Sequence, residues 1–274
     1  MSRAIFAVVP IVVILGMTAL GAPQSKETKV LGRPRAIESI RPALVQIQAT
    51  VSNTGQEVKQ FTGTGMFVNS EAYVLTAHHV VAPEPAGTTV LGVGLPMETL
   101  EGGGIDVFGN FVVVVAAVVA VDRDNDLAVI KLAGNLFKGE VRIPGIVIGA
   151  REPKLAPLGE VRFDLSRAAD GIEIALSGFP FGYPVLVTNG GWVGSSRAFV
   201  QKPTPPGTLP SFYRGAFVAD LTASRGNSGG PVYIRVADGR VLGVLVSGHQ
   251  GVATVIPSKY ATDLLDKHRL AWQK

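Results

Sequence analysis

Between residues 38 and 256 the chain is a succession of short apolar, β-branched runs separated by turn residues, with little helical periodicity. The runs are Ala43–Val51, Tyr73–Thr76, Thr88–Val93, Phe111–Val121, Leu127–Leu132, Ile172–Gly178, Pro184–Val187, Gly215–Asp220, Pro231–Ile234 and Val241–Ser247. Branched side chains are stiff at χ1 and pack well on a pleated surface, so such runs read as strands. The 33 glycines and 18 prolines among 274 residues supply the turns between them. Many short strands at this spacing predict an all-β sandwich or pair of barrels. The run Phe111–Val121 is too short to cross a bilayer as a helix, and its valines favour a buried strand. Residues 149–170 are polar, rich in Pro and Arg and aperiodic, and form the natural seam between two halves. Residues 201–214 read as a Pro-rich loop, and no internal repeat is evident.

The two ends differ from this pattern. Residues 4–25 carry no charge, and Ala4 to Ala22 is almost wholly apolar after Arg3. A helix of about 22 residues would be about 33 Å long, enough to span a bilayer. Residues 1–21 are therefore a cleaved signal peptide, with small residues before Ala22, or an uncleaved membrane anchor. Either places the body of the chain outside the cytoplasm. Residues 22–37 form a polar linker. At the other end Ser258 is placed to cap a helix over 258–272, in which Ala261, Leu264, Leu265, His268 and Trp272 share one stripe.

Composition excludes several classes. With no cysteine there is no disulfide framework, thiolate nucleophile or Cys-ligated metal. The net charge is +4, and no Lys/Arg run is longer than two, so nucleic acid is not an expected partner. The membrane enters only through the N-terminal segment.

Three local patterns carry chemistry. Gly226-Asn227-Ser228-Gly229-Gly230 sets a serine in a glycine-flanked turn, exposing a hydroxyl and freeing backbone N–H groups beside it. Acyl transfer needs that combination of nucleophile and preorganised donors. Val74-Leu75-Thr76-Ala77-His78-His79 ends a strand on two histidines, either of which can act as a general base. Asp122-Arg123-Asp124-Asn125-Asp126-Leu127 has alternating aspartates, but Leu127 and Ala133 stand where a calcium loop needs Gly and Glu. No metal or other cofactor is expected. Asp126 opens a strand and can orient a histidine, whereas Asp122 and Asp124 read as a turn cap and a solvated charge. The order His, Asp, Ser is that of chymotrypsin-type proteases, with spacings wide enough to spread the three over two barrels.

Together these segments resemble serine proteases of the HtrA (Deg) type, over roughly residues 38–262. Gly63-Thr64-Gly65-Met66-Phe67-Val68 with the following histidine segment is similar to that family's first motif, which places the catalytic histidine before Val-Val and so selects His79. The aspartate before Leu-Ala-Val is Asp126. Gly178-Phe179-Pro180-Phe181-Gly182, Asp220 and Ala253–Ser258 also have family counterparts. The chain departs from the family at Arg225, where proline is common, in the long 201–214 loop, and in reading as a protease domain without the usual PDZ domains.

The resemblance implies two six-stranded antiparallel barrels, about 38–148 and 171–256, with the closing helix after them. It implies a serine endopeptidase in which Ser228 attacks, His79 is the base and Asp126 orients it, with the N–H groups of Gly226 and Ser228 as oxyanion hole. Substrate would lie along Val246, Ser247 and Gly248, with Ala223, Gly248 and His249 at a pocket for small or medium apolar side chains. Protein or peptide substrates are the implied partners. The competing reading is a latent or inactive protease-fold scaffold that binds protein partners.

Overall fold

The computed structural model describes residues 34–52, 58–83, 87–96, 111–139, 158–183, 185–203, 209–213, 215–236 and 238–273. Residues 1–21, read above as a signal peptide or anchor, and most of the linker lie outside them. No helix among the described residues is long and apolar enough to cross a membrane.

Among the described residues, twelve strands form two closed antiparallel barrels. The first contains β1 (Leu44–Ser52), β2 (Lys59–Asn69), β3 (Tyr73–Ala77), β4 (Thr88–Pro96), β5 (Phe111–Asp122) and β6 (Leu127–Leu132). The second contains β7 (Glu173–Gly178), β8 (Val187–Ser195), β9 (Phe217–Asp220), β10 (Pro231–Ile234), β11 (Val241–His249) and β12 (Val252–Pro257). Hydrogen-bonded order is β1-β2-β3-β6-β5-β4 in the first and β7-β8-β9-β12-β11-β10 in the second. The two halves thus repeat one topology, although no repeat is visible in the sequence. Among the described residues three α-helices accompany the strands: α1 (Arg35–Ile40), α2 (His78–Val81) and α3 (Ser258–Lys267). The all-β, two-barrel expectation holds.

Several elements differ from the sequence reading. β2 was not among the apolar runs, because Thr62–Gly65 carries two glycines and two threonines. In the fold those glycines are demanded by packing: a Cβ on Gly63 would lie 2.4 Å from Val80 Cγ1, and one on Gly65 would lie 2.5 Å from Val74 Cγ1. β5 is half-buried, not buried: Val114, Ala116 and Ala120 face inward, while Val113, Val115, Val119 and Val121 are exposed. A barrel strand alternates its side chains, so an unbroken apolar run cannot all face the core.

The 158–164 segment, read as a seam, stitches the barrels together. Val161 N–H donates to Phe67 O (2.9 Å), and Val241 N–H donates to Arg162 O (2.8 Å). Val161 and Phe163 are buried there. At the C-terminus Ser258 does not cap α3; its hydroxyl donates to Val241 O (2.5 Å), tying the helix to β11. The helix ends at Lys267, with His268 exposed and Arg269 at φ 56°. Trp272 lies beyond it, edge-on to Phe163 at 6.0 Å.

Candidate active site

The register of β3 against β6 brings the histidine and aspartate segments together. Ala77 pairs with Leu127, so the residues just beyond, His78 and Asp126, also meet. His78 N–H donates to Asp126 O (2.9 Å). One residue on, His79 N–H donates to Asp126 Oδ1 (2.9 Å) and His79 Nδ1 donates to Asp126 Oδ2 (2.6 Å). A carboxylate can only accept, so the second bond places a proton on Nδ1, and in the neutral ring Nε2 is then the nitrogen that carries the lone pair. The side chain of His79 is 46% exposed and that of Asp126 13%, so the ring is open to a substrate while its partner is largely shielded.

Asp126 adopts φ 55°, a left-handed conformation that Asp tolerates better than most residues. The turn before it is closed by Asp122, whose carboxylate accepts from Asn125 N–H (3.1 Å) and Asn125 Nδ2 (2.7 Å). Asp122 is thus the turn cap expected of it, and Asp124 is exposed. His78 is half-buried; burial, against an opposing pull from Asp126, holds its pKa below the ordinary histidine value. Among the described residues no three His, Asp or Glu side chains converge to hold a metal.

The serine loop descends from the second barrel between β9 and β10. Asn227 N–H donates to Ser224 O (3.0 Å) and Gly229 N–H to Leu245 O (2.8 Å), fixing the turn on its own barrel. Thr64 N–H of β2 donates to Ser228 O (2.8 Å), which ties it to the first. Gly229 is packed onto the end of β3: a Cβ there would lie 2.2 Å from Thr76 Oγ1 and 2.8 Å from Ala77 N. Ser228 therefore sits on a loop pressed against the strand that delivers His79.

Thr64, fully buried and quoted above only within a motif, bolts this loop. Its hydroxyl donates to Gly226 O (2.7 Å) and accepts from Phe179 N–H (3.0 Å), while Thr76 Oγ1 donates to Thr64 O (2.7 Å). Thr64→Val keeps the shape and removes the hydroxyl that bonds Gly226 O and Phe179 N–H. Urea denaturation is expected to show a loss of about 1–3 kcal/mol for the buried hydrogen bonds removed. An unchanged denaturation midpoint would mean that the hydroxyl is dispensable.

A second bond orients the peptide before Gly226. Phe181 N–H donates to Arg225 O (2.5 Å). In a planar trans peptide the C=O and N–H point in opposite directions, so the Gly226 N–H faces away from Phe181. Among the described residues the N–H groups of Gly226 and Ser228 have no protein acceptor. Gly226 has φ 91°, and a Cβ there would lie 2.3 Å from Phe179 O, so glycine is required.

The remaining candidates lie on β11 and beside it. Val246 is buried at the β11 irregularity, Ser247 Oγ donates to Thr254 Oγ1 (3.4 Å), and His249 is exposed at the end of β11, paired with Val252. Ala223 and Gly248 face each other so closely that a Cβ on Gly248 would lie 2.5 Å from Ala223 Cβ. Arg225 and Asp220 are exposed. One further neighbour was not legible in the sequence: Tyr213 is buried, and burial together with the nearby Asp126 carboxylate pushes its phenol pKa well above the ordinary value.

Paired barrels with the histidine, aspartate and serine segments meeting where they join place the chain in the class of trypsin-like serine peptidases. Comparison of sequences agrees: the trypsin-like peptidase domain family matches residues 63–244, and the chain belongs to that family. Relatives named "Probable periplasmic serine endoprotease DegP-like" are 25% identical over 226 residues in Brucella suis and 27% identical over 212 residues in a Marinomonas species. These alignments cover 80% and 75% of this chain but only 35% of each relative, so the chain spans about a third of the length of those curated proteins. Among solved structures, the active form of the Rv3671c protease from M. tuberculosis superposes with a TM-score of 0.61 at 19% identity, covering 93% of this chain and 97% of that one. Its inactive form superposes at 0.55 and 18% identity, covering 85% and 91%. The HtrA-type resemblance read from the motifs is in accord with these relatives.

Proposed function

We propose that the chain is a serine endopeptidase that cleaves protein substrates through an acyl-enzyme, with His79, Asp126 and Ser228 as its triad. Ser228 Oγ attacks the scissile carbonyl carbon. His79 Nε2 accepts the hydroxyl proton and passes it to the leaving amine, which departs as the carbonyl re-forms. Water then repeats the sequence on the acyl-enzyme and releases the acid. Asp126 holds the Nδ1–H tautomer and stabilises the imidazolium. The N–H groups of Gly226 and Ser228 receive the oxyanion.

The observation that carries this reading is the His79–Asp126 pair at 2.6 Å, with the serine loop packed on the same strand end. The Gly226 N–H, turned away from Phe181 and without a protein acceptor among the described residues, supports a competent enzyme over a latent scaffold, because a donor bonded within the protein could not meet the oxyanion. Substrate lies extended along Val246–Gly248 by main-chain hydrogen bonds, and the narrow Ala223–Gly248 gap favours small or medium apolar side chains. The names of the relatives support an extracytoplasmic location, and protein quality control there is the role proposed. Residues 4–22 would serve as signal or anchor.

The two histidines supply the test. His79→Ala is expected to lower casein hydrolysis by roughly 10⁴–10⁶-fold, as loss of a triad member does. His78→Ala keeps the backbone N–H that bonds Asp126 O and is expected to retain most activity. The opposite ranking would overturn the assignment.

A further inference from the structure

The turn after β7 carries two aromatic rings that the mechanism above does not use. Phe181 is 64% exposed and Tyr183 62%, and their rings meet edge-on with centroids 6.1 Å apart. Phe181 has φ 56°, a left-handed conformation that glycine takes freely and a bulky residue rarely adopts. The chain thus holds a large apolar ring in water, on strained backbone, where a smaller residue would fold more easily. Strain of that kind gathers at functional sites.

The turn is also clamped. Gln46 Nε2, from β1, donates to Gly182 O (3.0 Å) and Tyr183 O (3.3 Å). Phe179 N–H donates to Thr64 Oγ1 (3.0 Å), and Tyr183 N–H donates to Pro180 O (3.1 Å). Gly182 packs on β2, where an added Cβ would lie 2.9 Å from Thr62 Cγ2. A platform fixed in this way loses little freedom when a ligand lands on it.

Its place relative to the serine decides what lands there. Phe181 N–H donates to Arg225 O, and its nitrogen lies 2.9 Å from where a Cβ on Gly226 would stand, so the turn borders the oxyanion peptide. The serine loop lies between two strands. Gly229 N–H donates to Leu245 O on β11, and Thr64 N–H of β2 donates to Ser228 O. In the endopeptidase reading, on which this inference rests, the acyl half of the substrate takes the β11 side. The leaving half then runs over the β2 side, where the turn is clamped. Side chains of an extended chain alternate, so residues two apart share a face. In that reading the residue whose carbonyl is attacked faces the Ala223–Gly248 gap of the second barrel. The second residue after the cut bond faces the same barrel, at the turn after β7.

We propose that Phe181 and Tyr183 are specificity-determining residues that receive an apolar or aromatic side chain at the second position after the scissile bond. A large apolar group there removes both rings from water, whereas a small polar one leaves them wet.

The test takes a casein site that the enzyme cuts and resynthesises it as peptides with Phe, Leu, Ser or Gly at that position. Wild type is expected to favour Phe and Leu over Ser and Gly by about 5–20-fold in kcat/KM. Phe181→Ala keeps the N–H that holds Arg225 O and is expected to bring that ratio within about twofold of unity. Tyr183→Ala is expected to lower it in part. The ratio is taken on one enzyme at a time, so any disturbance of the oxyanion peptide cancels. A peptide methyl ester, with no residue beyond the cut bond, reads that disturbance by itself. A ratio near unity in wild type, or one undiminished in Phe181→Ala, would overturn the proposal. Wild type that cuts no casein and does not react with a fluorophosphonate would overturn the endopeptidase reading and this inference with it. A reactive enzyme with a flat ratio overturns the inference alone.

Discussion

Ser228→Ala is expected to abolish proteolysis and fluorophosphonate labelling while leaving the fold intact. The loss in kcat should be roughly 10⁶-fold, with the remaining rate supplied by oxyanion donors and substrate binding alone. Stability should change little, because Ser228 is only half-buried and its loop is held by backbone groups. Thr64 N–H, Leu245 O and Ser224 O make those bonds, and none involves the serine hydroxyl. Thermal denaturation of the variant is expected to match wild type within about 0.5 kcal/mol. Casein cleavage that persists in folded Ser228→Ala would place the nucleophile elsewhere.

Gly226→Ala has the next largest expected effect, and it acts through the backbone. The new methyl group would meet Phe179 O at 2.3 Å and Phe181 N at 2.9 Å, at φ 91°. Phe181 N is the donor that holds Arg225 O, so relief of the clash rotates the peptide that aims the Gly226 N–H. Loss of one oxyanion donor lowers kcat by about 10²–10³-fold. The strained conformation itself costs about 1–3 kcal/mol, readable by urea denaturation. Gly251→Ala separates the two terms. Gly251 has φ 85° but nothing within 4 Å of an added Cβ. Its variant should show the stability loss and keep full activity. A Gly226→Ala enzyme with wild-type kcat would remove that N–H from the mechanism.

Strand content was legible at most β-branched runs, although of the Pro184–Val187 run Val185 and Leu186 precede β8, which starts at Val187. Leu127–Leu132 and Pro231–Ile234 appear in the fold with the bounds read from the sequence. Glycine-rich strands were not legible. β2 and the Gly-Gly-Trp part of β8 lack β-branched density, and their small residues make sense only once the neighbour is known. A Cβ on Gly191, for example, would sit 2.1 Å from Asp220 O on the adjacent strand. The end of the closing helix was missed for a similar reason. Its apolar spacing continues to Trp272, but that ring is claimed by Phe163 from the inter-barrel segment.

The site divides along the same line. The sequence by itself determined which chemical groups are present and in what order: a histidine after a strand, an aspartate before one, and a serine among glycines. Local periodicity and turn chemistry suffice for that, since each motif depends on its nearest neighbours along the chain. Only the tertiary structure decided how those groups are aimed. The β3–β6 register sets Asp126 against the backbone of His78 and the ring of His79. Thr64 and Phe181 orient the peptides on either side of Gly226. Those are hydrogen bonds between residues far apart in sequence, and their direction depends on how two barrels close and pack. No pattern along the chain carries that information.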